Sequence, residues 1–230
     1  MPTLTPNVLD IIEELLAQCP GIQSIRVTEF PSQGSLQDKL KFTDAEAKQV
    51  RRALAIRELI DLPFWDALHL TSFSNEHFSS RFLRQAKSHN QHPSPQTLRA
   101  SRAALEGYLE TKAGRNVALC SRVNLSTGEE RHIPLLDFHC PNNRANAKLA
   151  ASVVQELEVS GYLLESGDSY HFYGNKLLRH DEFIRFLGLA LQYAPIVDRA
   201  WIAHQLRELM AALRITSKEG VTPFLVQRCG

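Results

Sequence analysis

Three short segments in the second half of the chain place polar side chains within apolar surroundings. They are HIPLLDFHC (His132–Cys140), SGDSYHFYG (Ser166–Gly174) and APIVDRAW (Ala194–Trp201). Strand side chains alternate between two faces, so Asp137 and His139 should share one face, about 6–7 Å apart. The same alternation places Ser169 and His171 together on one face of a second strand. If both strands join one sheet beside the start of a helix at Asp198, all five side chains converge on one site.

Each of these polar residues also has a structural explanation. Asp198 occupies the position of a helix N-cap, and His171 lies between two aromatic residues where a core histidine with one hydrogen bond would fit. Asp137 is harder to explain in this way, because a carboxylate in an apolar strand costs several kcal/mol unless it is paired or bound to a cation. Together, two aspartates could bind a divalent metal while the histidine donates to a phosphate oxygen.

The composition is that of an ordinary globular protein. The chain has 230 residues, of which 43% are hydrophobic and 22% are charged, enough for one large domain or two small ones. No apolar run approaches the length of a membrane span, and the first twenty residues contain Asp10, Glu13 and Glu14 where a secretion signal would be apolar. We therefore expect a cytoplasmic protein with no membrane partner.

The cysteines and the net charge narrow the function classes further. The four cysteines are far apart, without a CxxC pair, which predicts reduced, mostly buried thiols and argues against a disulfide framework or a zinc knuckle. The formal net charge of +1 is too small for a protein that coats nucleic acid nonspecifically. Any contact with nucleic acid should therefore be local.

One stretch of the first half is strongly basic. Between Glu76 and Glu106 there is no acidic residue, and the stretch carries five fixed cations: Arg81, Arg84, Lys87, Arg99 and Arg102. Clustered cations release counterions from a nucleic-acid backbone, which favours a phosphate-contacting patch. A solvated helix face followed by a linker explains the same pattern, and both interpretations stay open.

Apolar periodicity and capping residues predict the elements of the first half. We expect helices at Pro6–Gln18, from Thr43 or Asp44 to about Ile60, and from Ser94-Pro95 to before Gly114, with a strand at Ile22–Phe30 and a loop at Pro31–Lys41. This pattern predicts a helix-rich N-terminal module, residues 1–112, followed by a second domain, residues 113–230.

The second half alternates strands with helices. We expect a hairpin of Val117–Leu125 and His132–Cys140, a second hairpin of Tyr162–Leu164 and Ser169–Tyr173, strand-like segments at Leu213–Thr216 and Pro223–Val226, and helices at Asn143–Ser160, Asp181–Gln192 and Arg199–Ala211. The pattern predicts an α/β or α+β domain in which Val117 to Val226 form one sheet.

The order of the three polar motifs resembles that of the archaeo-eukaryotic primase-polymerase superfamily, in a divergent, bacterial-type form. LLDFH (Leu135–His139) looks like its first motif, SYH (Ser169–His171) like its small-x-His motif and IVD (Ile196–Asp198) like its third. The resemblance covers roughly residues 116–228 and implies an RNA-recognition-like, antiparallel-rich sheet with flanking helices. It implies metal ligands at Asp137 and Asp198, contacts from Ser169 and His171 to the nucleotide, and catalysis by the metal-site residues.

One position departs from that pattern, because His139 stands where the family has a second acidic residue. An imidazole is a better ligand for manganese than for magnesium, so the resemblance implies a divalent metal, manganese or magnesium, at Asp137, His139 and Asp198. Its implied partners are a nucleotide triphosphate, a DNA or RNA template, and a helicase or another protein of DNA replication or repair.

The retained Asp137, His171 and Asp198 favour a nucleotidyltransferase. His139 favours a catalytically silent relative that binds nucleotide or single-stranded nucleic acid within a larger complex. A metal-dependent hydrolase built on the same His/Asp cluster is a weaker third interpretation.

Overall fold

Capping residues mark the start of the first helix. In the computed structural model, which describes residues 5–30, 43–60, 62, 64–72 and 94–230, the side chain of Asn7 accepts hydrogen bonds from the amides of Leu9 and Asp10. The carboxylate of Asp10 accepts from the amide of Asn7 at 2.8 Å, which completes a reciprocal cap. The helix that follows buries an apolar stripe that includes Ile11, Ile12 and Leu15.

The described helices and strands together form a mixed α+β fold, as predicted. The helices are α1 (Val8–Gln18), α2 (Asp44–Ile60), α3 (Phe64–Ser72), α4 (Arg102–Thr111), α5 (Arg144–Glu156), α6 (His180–Ala190) and α7 (Arg199–Glu208), with a 3-10 turn at Leu191–Tyr193. The strands are β1 (Ile22–Phe30), β2 (Gln96–Arg99), β3 (Asn116–Leu125), β4 (Glu130–His132), β5 (Leu135–Asp137), β6 (Gly161–Glu165), β7 (Tyr170–Gly174), β8 (Ala212–Arg214) and β9 (Phe224–Cys229). Among the described helices, none combines the length and the apolar character that a membrane crossing requires.

The strands form two antiparallel sheets, so the prediction of one sheet over residues 117–226 is wrong. The first sheet has the order β2-β1-β3-β4, and β8 also pairs with β3. The second sheet has the order β5-β7-β6-β9. The predicted strand His132–Cys140 is divided between them, because β4 pairs with β3 and β5 pairs with β7. Pro134 lies at the division, where its missing N–H interrupts a continuous ladder.

A second correction concerns the segment that begins at Ser94-Pro95. We predicted a helix with Pro95 in its first turn, whereas Gln96–Arg99 forms strand β2 along the edge of β1. The helix begins at Arg102, where the side chain of Ser101 accepts a hydrogen bond from the amide of Ala104. Cross-strand pairing to β1 therefore overrides the local signal at Pro95.

The described chain divides into two compact units, and the predicted domain boundary after residue 112 stays a prediction. Residues 5–30 and 94–230 belong to one unit, and residues 43–60, 62 and 64–72 belong to the other. The N-terminal strand β1 joins the first unit because it pairs with β3 along most of its length.

The first unit is built around a core that both sheets share with the helices. Its fully buried side chains include Ile25, Leu136, Phe172 and Phe183. All four cysteines are free thiols, with Cys19 half-buried and the others buried, as predicted. In the second unit, Val50 and Ala53 of α2 pack with Ala67 and Leu68 of α3 in a smaller cluster.

Candidate active site

Asp137 and His171 lie directly opposite each other in the second sheet. They are register partners across the antiparallel pair β5–β7, and Oδ1 of Asp137 lies 3.6 Å from Nε2 of His171. This separation exceeds a good hydrogen bond but leaves carboxylate and imidazole in contact. The prediction that the two side chains are close neighbours on one sheet is confirmed.

Asp198 reaches the same place through backbone pairing. The amide of Asp198 donates to the carbonyl oxygen of Asp137 at 3.0 Å, and the amide of His139 donates to the carbonyl oxygen of Ile196 at 2.8 Å. Residues 196–198 thus continue the ladder on the outer edge of β5. The carboxylate of Asp198 accepts a hydrogen bond from the amide of Trp201 at 2.8 Å and caps α7.

The two aspartates repel each other. Burial raises the pKa of the Asp137 carboxyl well above its usual range, and the negative charge of Asp198 raises that pKa further. The side chain of Asp137 is nevertheless 26% exposed, so a ligand can reach it. A cation between the two carboxylates would relieve this repulsion.

His171 is neutral at ordinary pH. Burial lowers the pKa of its imidazole to about 3, and the nearby positive charge of Arg214 acts in the same direction. Its side chain is only 8% exposed, and within the described residues its Nδ1 atom has no hydrogen-bond partner. A buried polar atom without a partner is unusual and needs an explanation, such as an absent ligand.

Ser169 holds the turn of the second sheet against the loop after β5. Its Oγ lies 2.7 Å from the carbonyl oxygens of both Phe138 and Cys140. A hydroxyl has one hydrogen, so it donates to one carbonyl at a time. Contact with a phosphate oxygen would need that hydrogen to leave the backbone, and the nucleotide-binding role of Ser169 stays a prediction.

The proposed metal ligands are only partly gathered. Asp137 and Asp198 lie on adjacent backbone segments and interact through their charges. His139, which follows Asp137 by two residues, is half-buried. Within the described ranges, no group of three or more His, Cys, Asp or Glu side chains is placed to hold one metal ion. Two carboxylates nevertheless fit magnesium, which is commonly bound by one or two carboxylates together with substrate phosphates.

Arg214, at the end of β8, is a site residue that sequence reasoning missed. Its half-buried guanidinium donates to the backbone carbonyls of Ser166, Thr216 and Val221, and its charge acts on both Asp137 and His171. The signal available in the sequence was a single cation inside the strand-like run Leu213–Thr216.

Lys218, in the turn that follows, adds a second positive charge. Its charge also lowers the pKa of Asp137, and its Nζ lies 3.7 Å from the carboxylate of Asp168.

The basic stretch between Glu76 and Glu106 divides into three parts. Arg81, Arg84 and Lys87 lie outside the described residues. Arg99 is exposed on β2. The guanidinium of Arg102 binds the carboxylates of Glu106, Glu13 and Asp10 at 2.7, 2.9 and 2.7 Å, and these carboxylates raise the pKa of Arg102. Arg102 therefore joins α4 to α1 through these ion pairs, and its contact with a phosphate stays a prediction.

Comparison with known proteins agrees with this geometry at the level of a family. No curated protein and no solved structure matches the chain. The family model described as "AEP-like: Archaeo-eukaryotic primase 1D-like" matches residues 94–226, which is more than half of the chain and contains every strand and helix of the site. The chain therefore belongs to the AEP-like, archaeo-eukaryotic primase 1D-like family.

Proposed function

We propose that the chain is a nucleotidyltransferase of the primase-polymerase kind, which joins nucleotides from their triphosphates on a nucleic-acid template with the help of a divalent metal. The observation that supports this most is the contact of Asp137 with His171 across β5 and β7, with Asp198 on the neighbouring backbone. In this reaction the 3′ oxygen of a primer or nucleotide bonds to the α-phosphorus, and the bond from that phosphorus to the leaving pyrophosphate breaks.

Asp137 and Asp198 would hold the metal. Burial raises the pKa of Asp137, and the charge of Asp198 raises it further, so a cation bound there would favour the charged form of the carboxyl group. A divalent ion supplies alignment of the attacking hydroxyl with the α-phosphate and neutralises charge that develops on it. Because two carboxylates are too few for a complete coordination shell, phosphate oxygens and water would provide the remaining ligands.

His171 would hold the triphosphate as a neutral donor. The lowered pKa of its imidazole means that it brings an N–H group without adding a charge. Nε2 of the ring lies 3.6 Å from Oδ1 of Asp137, and Nδ1 has no hydrogen-bond partner within the described residues. With Asp137 holding a metal, the ring of His171 would be available to a phosphate oxygen.

Arg214 and Lys218 would offset the remaining phosphate charge. Both act on Asp137 through their charges, so both lie near the carboxylate that would hold the metal. Lys218 is the more adaptable of the two, because its contact with Asp168 is 3.7 Å long and exposed, and such ion pairs are weak.

A second function has its own support. The described residues do not gather three metal-binding side chains, and His139 supplies no negative charge at the position where the family has a second acid. A relative that binds nucleotide or single-stranded nucleic acid within a larger complex, without synthesis, would keep Asp137, His171 and Asp198. It would lose the acid that the family has at the position of His139.

Titration calorimetry with a nucleoside triphosphate, in magnesium and in manganese, tests metal-dependent binding. Asp137→Asn should weaken this binding by about tenfold or more, since it removes a charged ligand at nearly constant shape. The matched control is Asp181→Asn, which removes an exposed aspartate from the first turn of α6 and should leave binding unchanged. Equal binding by both variants and the unmodified chain would contradict the proposed site.

Primer extension then separates the two functions. Product formed in either metal supports the transferase, whereas metal-dependent nucleotide binding without product supports the silent relative.

A further inference from the structure

One exposed face of α2 carries three cations within little more than one helical turn. Lys48, Arg51 and Arg52 are all exposed, and residues three and four positions apart lie on the same side of a helix. The rise from Lys48 to Arg52 is about 6 Å at 1.5 Å per residue. We call these three residues the α2 basic face.

The opposite side of the same helix is already used for packing. Val50 and Ala53 are buried against Ala67 and Leu68 of α3. A helix that lies in a membrane surface needs a free apolar face to insert between lipid chains. Among the described residues, the side of α2 opposite the cations is covered at Val50 and Ala53, so the α2 basic face suits a polar, charged partner.

The cations of the α2 basic face differ from Arg102 in their ion pairing. Among the described residues, no ion pair joins Lys48, Arg51 or Arg52 to a carboxylate, whereas Arg102 binds three. Glu46 is buried, and its carboxylate accepts hydrogen bonds from the amide and hydroxyl of Thr43. Of the other acids of the helix, Asp44 lies four residues before Lys48 on the same side, and Glu58 lies near the C-terminal end. The three cations therefore outnumber the one acid beside them.

We propose that the α2 basic face binds the sugar-phosphate backbone of single-stranded nucleic acid. This inference rests on the proposed function, which includes a nucleic-acid template. The chain as a whole has a net charge of only +1, so an attraction to phosphate must come from a local cluster such as this one. Three cations on one face, with no ion-pair partner among the described residues, can replace three counterions along a strand, and released counterions favour binding.

The test is the salt dependence of binding by the full chain to a fluorescently labelled single-stranded oligonucleotide, followed by anisotropy. In the triple variant K48A/R51A/R52A the slope of log K against log salt should fall by about 2, since each lost phosphate contact contributes about 0.7 for a single strand. Binding at low salt should weaken in parallel. Alanine is the best helix former, so α2 should be kept.

Two control variants separate this surface from general charge. K148A/K176A/R185A removes three exposed cations from other elements and should change neither the slope nor the affinity. K48R/R51K/R52K keeps the charge of the α2 basic face and should bind nearly as the unmodified chain does. Equal loss of binding in the two alanine variants would overturn the proposal, because it would reduce the effect to net charge.

Other partners give other outcomes. If poly-glutamate or vesicles of anionic lipid compete with the oligonucleotide on equal terms, the face is a general anion surface and the proposal is overturned. Nucleotide binding by calorimetry keeps the two proposals apart. A triple variant that binds metal and nucleotide normally but loses the oligonucleotide supports the α2 basic face, whereas normal oligonucleotide binding in that variant overturns it and leaves the nucleotide site standing.

Discussion

The amide of Asp198 donates a hydrogen bond to the carbonyl oxygen of Asp137 at 3.0 Å. The two proposed metal ligands, far apart in the sequence, therefore lie on adjacent backbone segments. Backbone hydrogen bonds between these segments set their spacing. The carboxylate of Asp198 has a second task, because it caps α7 through the amide of Trp201. Ligand and cap are the same group, which allows the two roles to be separated by substitution.

Asp198→Asn and Asp198→Ala should differ in stability and agree in function. Asparagine caps a helix about as well as aspartate, whereas alanine loses about 1 kcal/mol. Both remove the negative charge, so both should lose metal-dependent nucleotide binding. Urea unfolding and calorimetry measure the two effects. Full nucleotide binding by Asp198→Asn would show that the carboxylate acts only as a cap.

His139→Asp should raise magnesium-dependent synthesis. A third carboxylate would restore the acidic pattern of the family and offset more of the charge of a divalent ion. In the unmodified chain any synthesis should be stronger in manganese, which accepts a nitrogen ligand more readily than magnesium does. Primer extension in each metal measures both expectations. The control is His139→Asn, which changes size and shape without adding charge and should not gain activity.

The folded protein should lose stability as the pH falls from about 6.5 to about 4. His132 is buried between the Ser121 hydroxyl, the ring of Phe183 and His180. Burial lowers the pKa of His132 to about 4, and the positive charge of Arg122 adds to this shift. The unfolded chain, with an ordinary histidine pKa near 6.5, therefore takes up the proton first.

The stabilisation by neutral His132 is present above pH 6.5 and is lost as the pH falls toward 4. The loss should be on the order of 3 kcal/mol for His132 alone. Urea unfolding at several pH values should give a flatter profile in His132→Gln than in the unmodified chain. Parallel profiles for the two proteins would show that His132 does not carry the dependence.

Gly174→Ala should destabilise the second sheet. A Cβ atom at Gly174 would lie 2.7 Å from the ring of Pro134, which directly precedes β5, so β5 and the Asp137 it carries would have to shift. Overpacking of this kind typically costs about 1–3 kcal/mol.

Gly188→Ala is the matched control, because Gly188 lies on the exposed side of α6, within the helix, with open space around the position of a Cβ atom. This change should raise the free energy of unfolding by up to about 1 kcal/mol through helix propensity. Equal effects in the two variants would contradict the close approach at Gly174.

The sequence by itself determined those features that depend on neighbours in the chain. Period-two alternation predicts which face of its strand each of Asp137 and His171 occupies, and the structure confirms that the two side chains are in contact. Helix α2 begins at Asp44 and ends at Ile60, as its capping and stop signals predicted. These signals act over a few residues, so they are present in the unfolded chain as well as in the folded one.

Only the tertiary structure decided the features that depend on distant partners. The run His132–Cys140 divides between two sheets because β3 pairs with the part before Pro134 and β7 with the part after it. No local pattern in the sequence states that the run divides. Gln96–Arg99 is a strand because the edge of β1 is available to it. Arg214 reaches the site, and Arg102 joins α4 to α1, through partners far away in sequence. Such pairings form only when the chain has closed its long loops, which is why a linear reading of residue types does not contain them.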